Sequence, residues 1–303
     1  LNYKDNAAVI NGTAYYLSPT STLVNAGAND SSLPSKDING NDRTYDSTVD
    51  IGAVEYSLIY EKGTKNWNTA SHWNIGRIPN QNDVVTIKSD CDVTIANAIC
   101  KKIIAIESGK KLTIAANQKL VVTDKIQNTD PTRIVVKSSD NDVDANGTLI
   151  FHNSAQEPVS ATVEMYSKAY TDNSKSASND KYIWQYFGIP VKSVAASPTF
   201  SNSWVRIYNE SKPTSGVGLQ WDFLGNTSVM KAFQGYEITQ PEARKFNIQG
   251  QLVNCNLDTT LKVTSGSYYK GQHVLSNPYT AAIRISDIEL GDGMEQTIYI
   301  YNT

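Results

Sequence analysis

Between residues 84 and 151 short apolar runs alternate with polar turns: "VVTI" at 84, "VTI" at 93, "IIAI" at 103, "LTI" at 112, "LVV" at 120, "IVV" at 134 and "LIF" at 149. The early runs recur every nine or ten residues, with Gly, Asn, Asp and Lys between them, which predicts short strands joined by turns. Val84 to Ile103 spans nineteen residues, and so does Val93 to Leu112. A two-strand repeat of that length winds into a solenoid that stacks like side chains on like, about 4.8 Å per layer. A Greek-key sandwich rarely keeps such even spacing. Residues 57–157 therefore read as a short β-solenoid module.

The flanking stretches are patterned differently. Residues 1–56 carry brief apolar pieces, "AAVI" and "AYYL", inside long Asn/Asp/Gly/Ser loops. Such loops cap or edge a β structure, because Asn, Asp and Gly tolerate left-handed turns and bond their own backbone. At their end, "STVDIGAVEY" alternates Val49, Ile51 and Ala53 with polar or small positions and predicts one short strand. Residues 158–303 hold longer, aromatic-rich runs, including "DKYIWQYFGIPV", "SWVRIYNE", "KFNIQGQLVN", "TTLKVTS", "GQHVLSNPY" and "TIYIYNT". They predict an antiparallel sandwich of about eight strands, with "FHNSAQEPVS" as its boundary. Helical periodicity does not persist; its best stretch, "SAQEPVSATVEMYSKA", is interrupted by Pro158.

Composition acts mainly by exclusion. The 303 residues carry 19% charged side chains and a net charge of −3, with no basic cluster interleaved with aromatics. Neither nucleic acid nor an anionic membrane is expected as a partner. No run of about 18 apolar residues is present for membrane insertion. Three Cys fit neither a disulfide scaffold nor a zinc pattern. "LNYKDNAAVI" reads as the interior of a longer protein, so a fragment or processed form is expected, with any export signal outside it.

"NAGANDSSLPSKDINGNDRTYDSTVDIGAVEY" resembles the closing motif of right-handed parallel β-helix domains in large secreted bacterial surface proteins. The matching positions are Asn25, Ala26 and Gly27, then Asp37, Asn39, Gly40, Asn41 and Arg43, then Val49, Asp50, Ile51, Gly52, Ala53 and Glu55. Asp42 stands where a Pro is common. "KNWNTASHWNIGRIPNQNDVVTI", with Trp67 and Trp73 six residues apart, resembles the module that often follows in such proteins. "GYEITQ…FNIQGQLVN…HVLSNPYTAAIRISDIE" resembles their C-terminal sandwich, although Ser276-Asn277-Pro278-Tyr279-Thr280 replaces the usual Gly-Asn-Pro-Tyr-Pro. The resemblance implies an all-β chain: right-handed parallel β-helix coils followed by an antiparallel, jelly-roll-like β-sandwich. Its units would be 1–56, the terminal coil and cap; 57–157, the solenoid; and 158–303, the sandwich. It further implies type IX secretion, an extracellular or outer-membrane cell-surface location, a role in cell adhesion, and a sorting domain beyond residue 303. The implied partner is a host or bacterial cell-surface glycan or protein.

Four groups of residues carry candidate chemistry. A solenoid end exposes unpaired strand edges, and a polar lid would shield them, with Asp50 and Glu55 pairing with Arg43 or accepting loop amides. Asp140, Asp142, Asp144 and Asn146 alternate toward Gly147, so their oxygens can curl around Ca²⁺; Phe151 stands where a bidentate Glu would complete the loop, and a solvated acidic turn is the plainer reading. Cys91 and Cys100 would meet in a hairpin or a three-sided coil but not in a two-strand coil, and both arrangements stay open. Trp204, Tyr208 and Trp221 suit either a sandwich core, the commoner use, or a flat platform for sugars.

No nucleophile elbow, HExxH or phosphate loop occurs, so no catalytic residue is assigned and a structural role is expected for His72, His152 and His273. A non-catalytic surface protein for adhesion or scaffolding is the first reading. The alternatives are a carbohydrate-binding module of a polysaccharide-processing protein and a β-helix lyase or hydrolase. A lyase needs carboxylates with Lys or Arg on one coil face, whereas the repeat's polar positions are mostly Lys, Thr, Ser and Asn.

Overall fold

The computed structural model describes residues 7–10, 14–17, 21–38, 43–44, 48–61, 63–74, 76–140, 145–176, 181–213 and 219–300. Among them the chain is all-β, with helix limited to short turns. A hairpin of β1 (Ala7–Ile10) and β2 (Ala14–Leu17) comes first. Ten strands follow: β3 (Leu58–Tyr60), β4 (Val84–Ile87), β5 (Cys91–Val93), β6 (Ala98–Cys100), β7 (Lys102–Ile106), β8 (Leu112–Ile114), β9 (Lys119–Val122), β10 (Ile134–Val136), β11 (Thr148–Ile150) and β12 (Ser160–Ser167). The C-terminal half adds β13 (Tyr170–Thr171), β14 (Tyr182–Ile183), β15 (Gln185–Phe187), β16 (Ser193–Ala195), β17 (Trp204–Tyr208), β18 (Trp221–Phe223), β19 (Val229–Lys231), β20 (Tyr236–Thr239) and β21 (Arg244–Gln251).

From β4 to β9 the chain visits three parallel sheets in rotation: β3–β4–β7, then β5–β8–β10–β12, then β6–β9–β11. Side chains alternate inward and outward along each strand. Cys91, Leu112 and Ile134 stack in register, as do Val93, Ile114 and Val136, and all six are buried. The sequence pattern foresees the stacking of 84–87 on the 103 run and of the 93 run on 112–114. It misses β6, because "AIC" is only three residues long and holds one large aliphatic side chain. The repeat therefore has three strands rather than two, and 119–122 stacks on 98–100 instead of on the first sheet.

Asn97 and Asn117, with φ of 70° and 62°, turn the chain ahead of β6 and β9, a left-handed backbone that Asn tolerates. Asn117 Oδ1 also accepts the Ala145 amide of the next layer at 2.8 Å. Gly147 is required by close approach: a Cβ there would meet the Ile114 carbonyl oxygen at 2.8 Å.

The first ladder is closed by side chains at both edges. Asn74 donates its backbone N–H to the Ile59 carbonyl and accepts the Ile59 amide on its side-chain Oδ1, at 2.9 and 3.0 Å, while Trp73 packs edge-to-face against both Tyr60 and Trp67. At the far edge Ile126 bridges Ile103, and Asn153 then accepts the Ile126 amide at 2.7 Å and donates to its carbonyl at 2.8 Å. β12 pairs in parallel with β10 on one side and antiparallel with all of β21 on the other. The hydrophobic core accordingly runs from Leu58 to Leu252, across the position read as the 157/158 boundary.

Two expected elements are absent. "STVDIGAVEY" forms no strand in its described part: Ile51 points out at 45% exposure while Asp50 and Glu55 turn in. Side-chain carboxylates there take the amides a ladder would have used. The C-terminal runs "TTLKVTS", "GQHVLSNPY" and the described part of "TIYIYNT" also form no strands, apart from one bridge between Gln234 and Leu275. Among the described residues no second sheet lies against Tyr299 and Ile300, which are 80% and 73% exposed. The C-terminal half is thus a set of small antiparallel sheets, the largest with four strands in the order β15–β20–β17–β18, rather than one eight-stranded sandwich.

Candidate functional site

The four-stranded sheet owes its two faces to period-two alternation. Val205, Tyr236 and Ile238 face the core and are nearly or fully buried. The opposite face carries Trp204, Arg206 and Tyr208 from β17, Trp221 and Phe223 from β18, Tyr186 from β15 and Glu237 from β20. Cross-strand pairing groups the rings. Tyr182 meets Trp204 at 5.0 Å between centroids, Trp184 and Phe223 lie 6.4 Å apart, and Trp221 touches Tyr186 at 5.2 Å and Tyr208 at 5.5 Å. Trp204 and Phe223 are 49% and 64% exposed. The three sequence candidates Trp204, Tyr208 and Trp221 therefore share one outward face. The core use is corrected: the alternation that puts Val205 inside puts Trp204 outside.

Arg206 occupies the centre. Its guanidinium lies 3.6 Å from the Trp184 ring centroid and 5.4 Å from that of Phe223, stacking worth about 0.5–2 kcal/mol per ring depending on desolvation. Glu237, directly opposite, pairs with it. Burial pushes the Glu237 carboxyl up to about 7, against the downward pull of Arg206. On the other side of the sheet Asp222, opposite Ile207, takes Lys212 Nζ and Asn209 Nδ2, each at 2.6 Å.

Beyond β17 the face is extended by a distant loop. Glu210 accepts the Thr264 amide at 3.0 Å, the Thr264 hydroxyl at 2.6 Å and the Gly271 amide at 2.8 Å, and its carbonyl accepts the Ser267 hydroxyl. These bonds, with the Gly271 amide foremost, hold its carboxyl down at about 2. The clasp seats Tyr268 and Tyr269, edge-to-face at 4.8 Å and half-exposed, beside Tyr208, whose hydroxyl donates to Gln272 Oε1 at 3.4 Å. The sequence gives little warning of this, because 54 residues separate Glu210 from Thr264.

The other sequence candidates lie elsewhere. Arg43 pairs with Glu55 at 3.4 Å and donates to the Gly52 carbonyl. Asp50 accepts the Asn25 and Tyr56 amides, Glu55 accepts the Asp50 amide, and Asp37 accepts the Glu55 amide. Burial raises the carboxyls of both Asp50 and Glu55, the latter to about 7. Asn39, Gly40, Asn41 and Asp42 fall outside the described residues. So do Asp142 and Asp144 of the calcium candidate; of the other two, Asp140 pairs with Lys245 and Asn146 accepts the Ser139 amide at 3.1 Å. Among the described residues no three His, Cys, Asp or Glu gather as a metal-binding group. Cys91 and Cys100 are free, buried thiols on two different sheets. No helix among the described residues is long and apolar enough to cross a membrane.

The chain is similar to the minor fimbrium subunit Mfa5 of Porphyromonas gingivalis. It is 29% identical over 262 residues, which cover 78% of this chain and 20% of that protein. The chain thus spans about a fifth of the length of the curated relative it matches. No solved structure matches. A family model matches residues 60–303, from β3 through both halves of the fold, and the chain belongs to that family, the domain of unknown function DUF8693.

Proposed function

We propose that this chain is a non-catalytic module of a cell-surface protein, serving adhesion or scaffolding, and that its partners are other surface molecules. The observation that carries this reading is the likeness to a fimbrial subunit over most of the fold. The geometry agrees with it. Three parallel ladders visited in rotation suit a three-sided right-handed solenoid, a stiff spacer whose layers contact only their neighbours. The four-stranded sheet then serves as the contact surface, with its rings half-exposed and its charges paired. Type IX export, implied by the closing-motif resemblance, belongs to the same reading.

The test uses intact cells of the producing bacterium. Antibody to this chain should label them without permeabilisation, and a strain lacking the protein should adhere less well to its partner surface. Labelling only after permeabilisation, or unchanged adherence, would overturn the reading.

A further inference from the structure

We draw no further inference here: the strongest candidate, the outward aromatic face of the β15–β20–β17–β18 sheet around Trp204 and Phe223, is unpartnered among the described residues, and nothing in the structure shows what covers it.

Discussion

Arg206→Ala tests the electrostatic centre of the aromatic face. Arg206 and Glu237 face each other across β17 and β20, and Glu237 is only 3% exposed. Removing one partner of a buried pair costs about 3–5 kcal/mol, because the remaining charge loses its compensation. The stacking of the guanidinium on Trp184 goes with it. The cost should depend on pH in a definite sense. Glu237 has its folded value raised from 4.5 to about 7, so the folded state holds a proton that the unfolded state has released. Stability therefore falls as pH rises between those two values and is level above the upper one. Without Arg206 the carboxyl rises further, and the variant continues to lose about 1.4 kcal/mol per pH unit where the parent has levelled. The gap between them should widen by up to about 2 kcal/mol from about pH 7 to about pH 8.5. Urea unfolding at those two pH values measures it. The double variant Arg206→Met/Glu237→Leu should recover most of the loss, since an apolar pair of similar volume leaves no orphan charge. A cost for Arg206→Ala below about 1 kcal/mol and equal at both pH values would refute the buried coupling.

Other sites give independent checks. Trp73→Ala should lower stability by about 3–5 kcal/mol in urea, because it empties the packing around Tyr60 and Trp67 at the first edge. Asn153→Ala should cost about 1–3 kcal/mol and expose the Ile126 amide to exchange, since its side chain pairs with both backbone groups of Ile126. Glu55→Gln should flatten a loss of stability that the parent shows as pH climbs from about 4.5 to about 7, the window between the ordinary and the raised value of Glu55. An unchanged pH profile in E55Q would mean that burial does not raise the Glu55 carboxyl in the folded state.

The parallel ladders were legible because their apolar runs are evenly spaced and their inward positions alternate. β6 was not, because Ala98 and Cys100 are small and the corner at Asn97 takes a left-handed backbone that a hydrophobic pattern does not register. The pairing of Arg43 with Glu55 was legible, but the same stretch was misread as a strand. Alternation at Val49, Ile51 and Ala53 looked inward-facing, yet Asp50 lies inside, held there by the Asn25 and Tyr56 amides. The aromatic face shows the opposite limit. Trp204, Tyr208 and Trp221 stand out in the sequence, but which side of the sheet they occupy depends on whether Val205 or Trp204 meets the core. Nothing local decides that; the partner strand β20, some thirty residues on, does.

β12 shows why the two halves of the chain are one structure. A parallel ladder ending at β10 would leave a row of unpaired backbone groups, open to pairing with any other chain. The eight residues of β12 cover that row on one side and meet β21 on the other, so the edge passes from the parallel sheet into the antiparallel half. β11 is closed in a similar way, with the Leu149 amide donating to the Thr280 carbonyl and the Thr280 hydroxyl donating to the Leu149 carbonyl. Its partner is 131 residues away in sequence. Residues that look like a second domain therefore act as the far lid of the first. Buried side chains on both sides of the position between residues 157 and 158 belong to one continuous hydrophobic core.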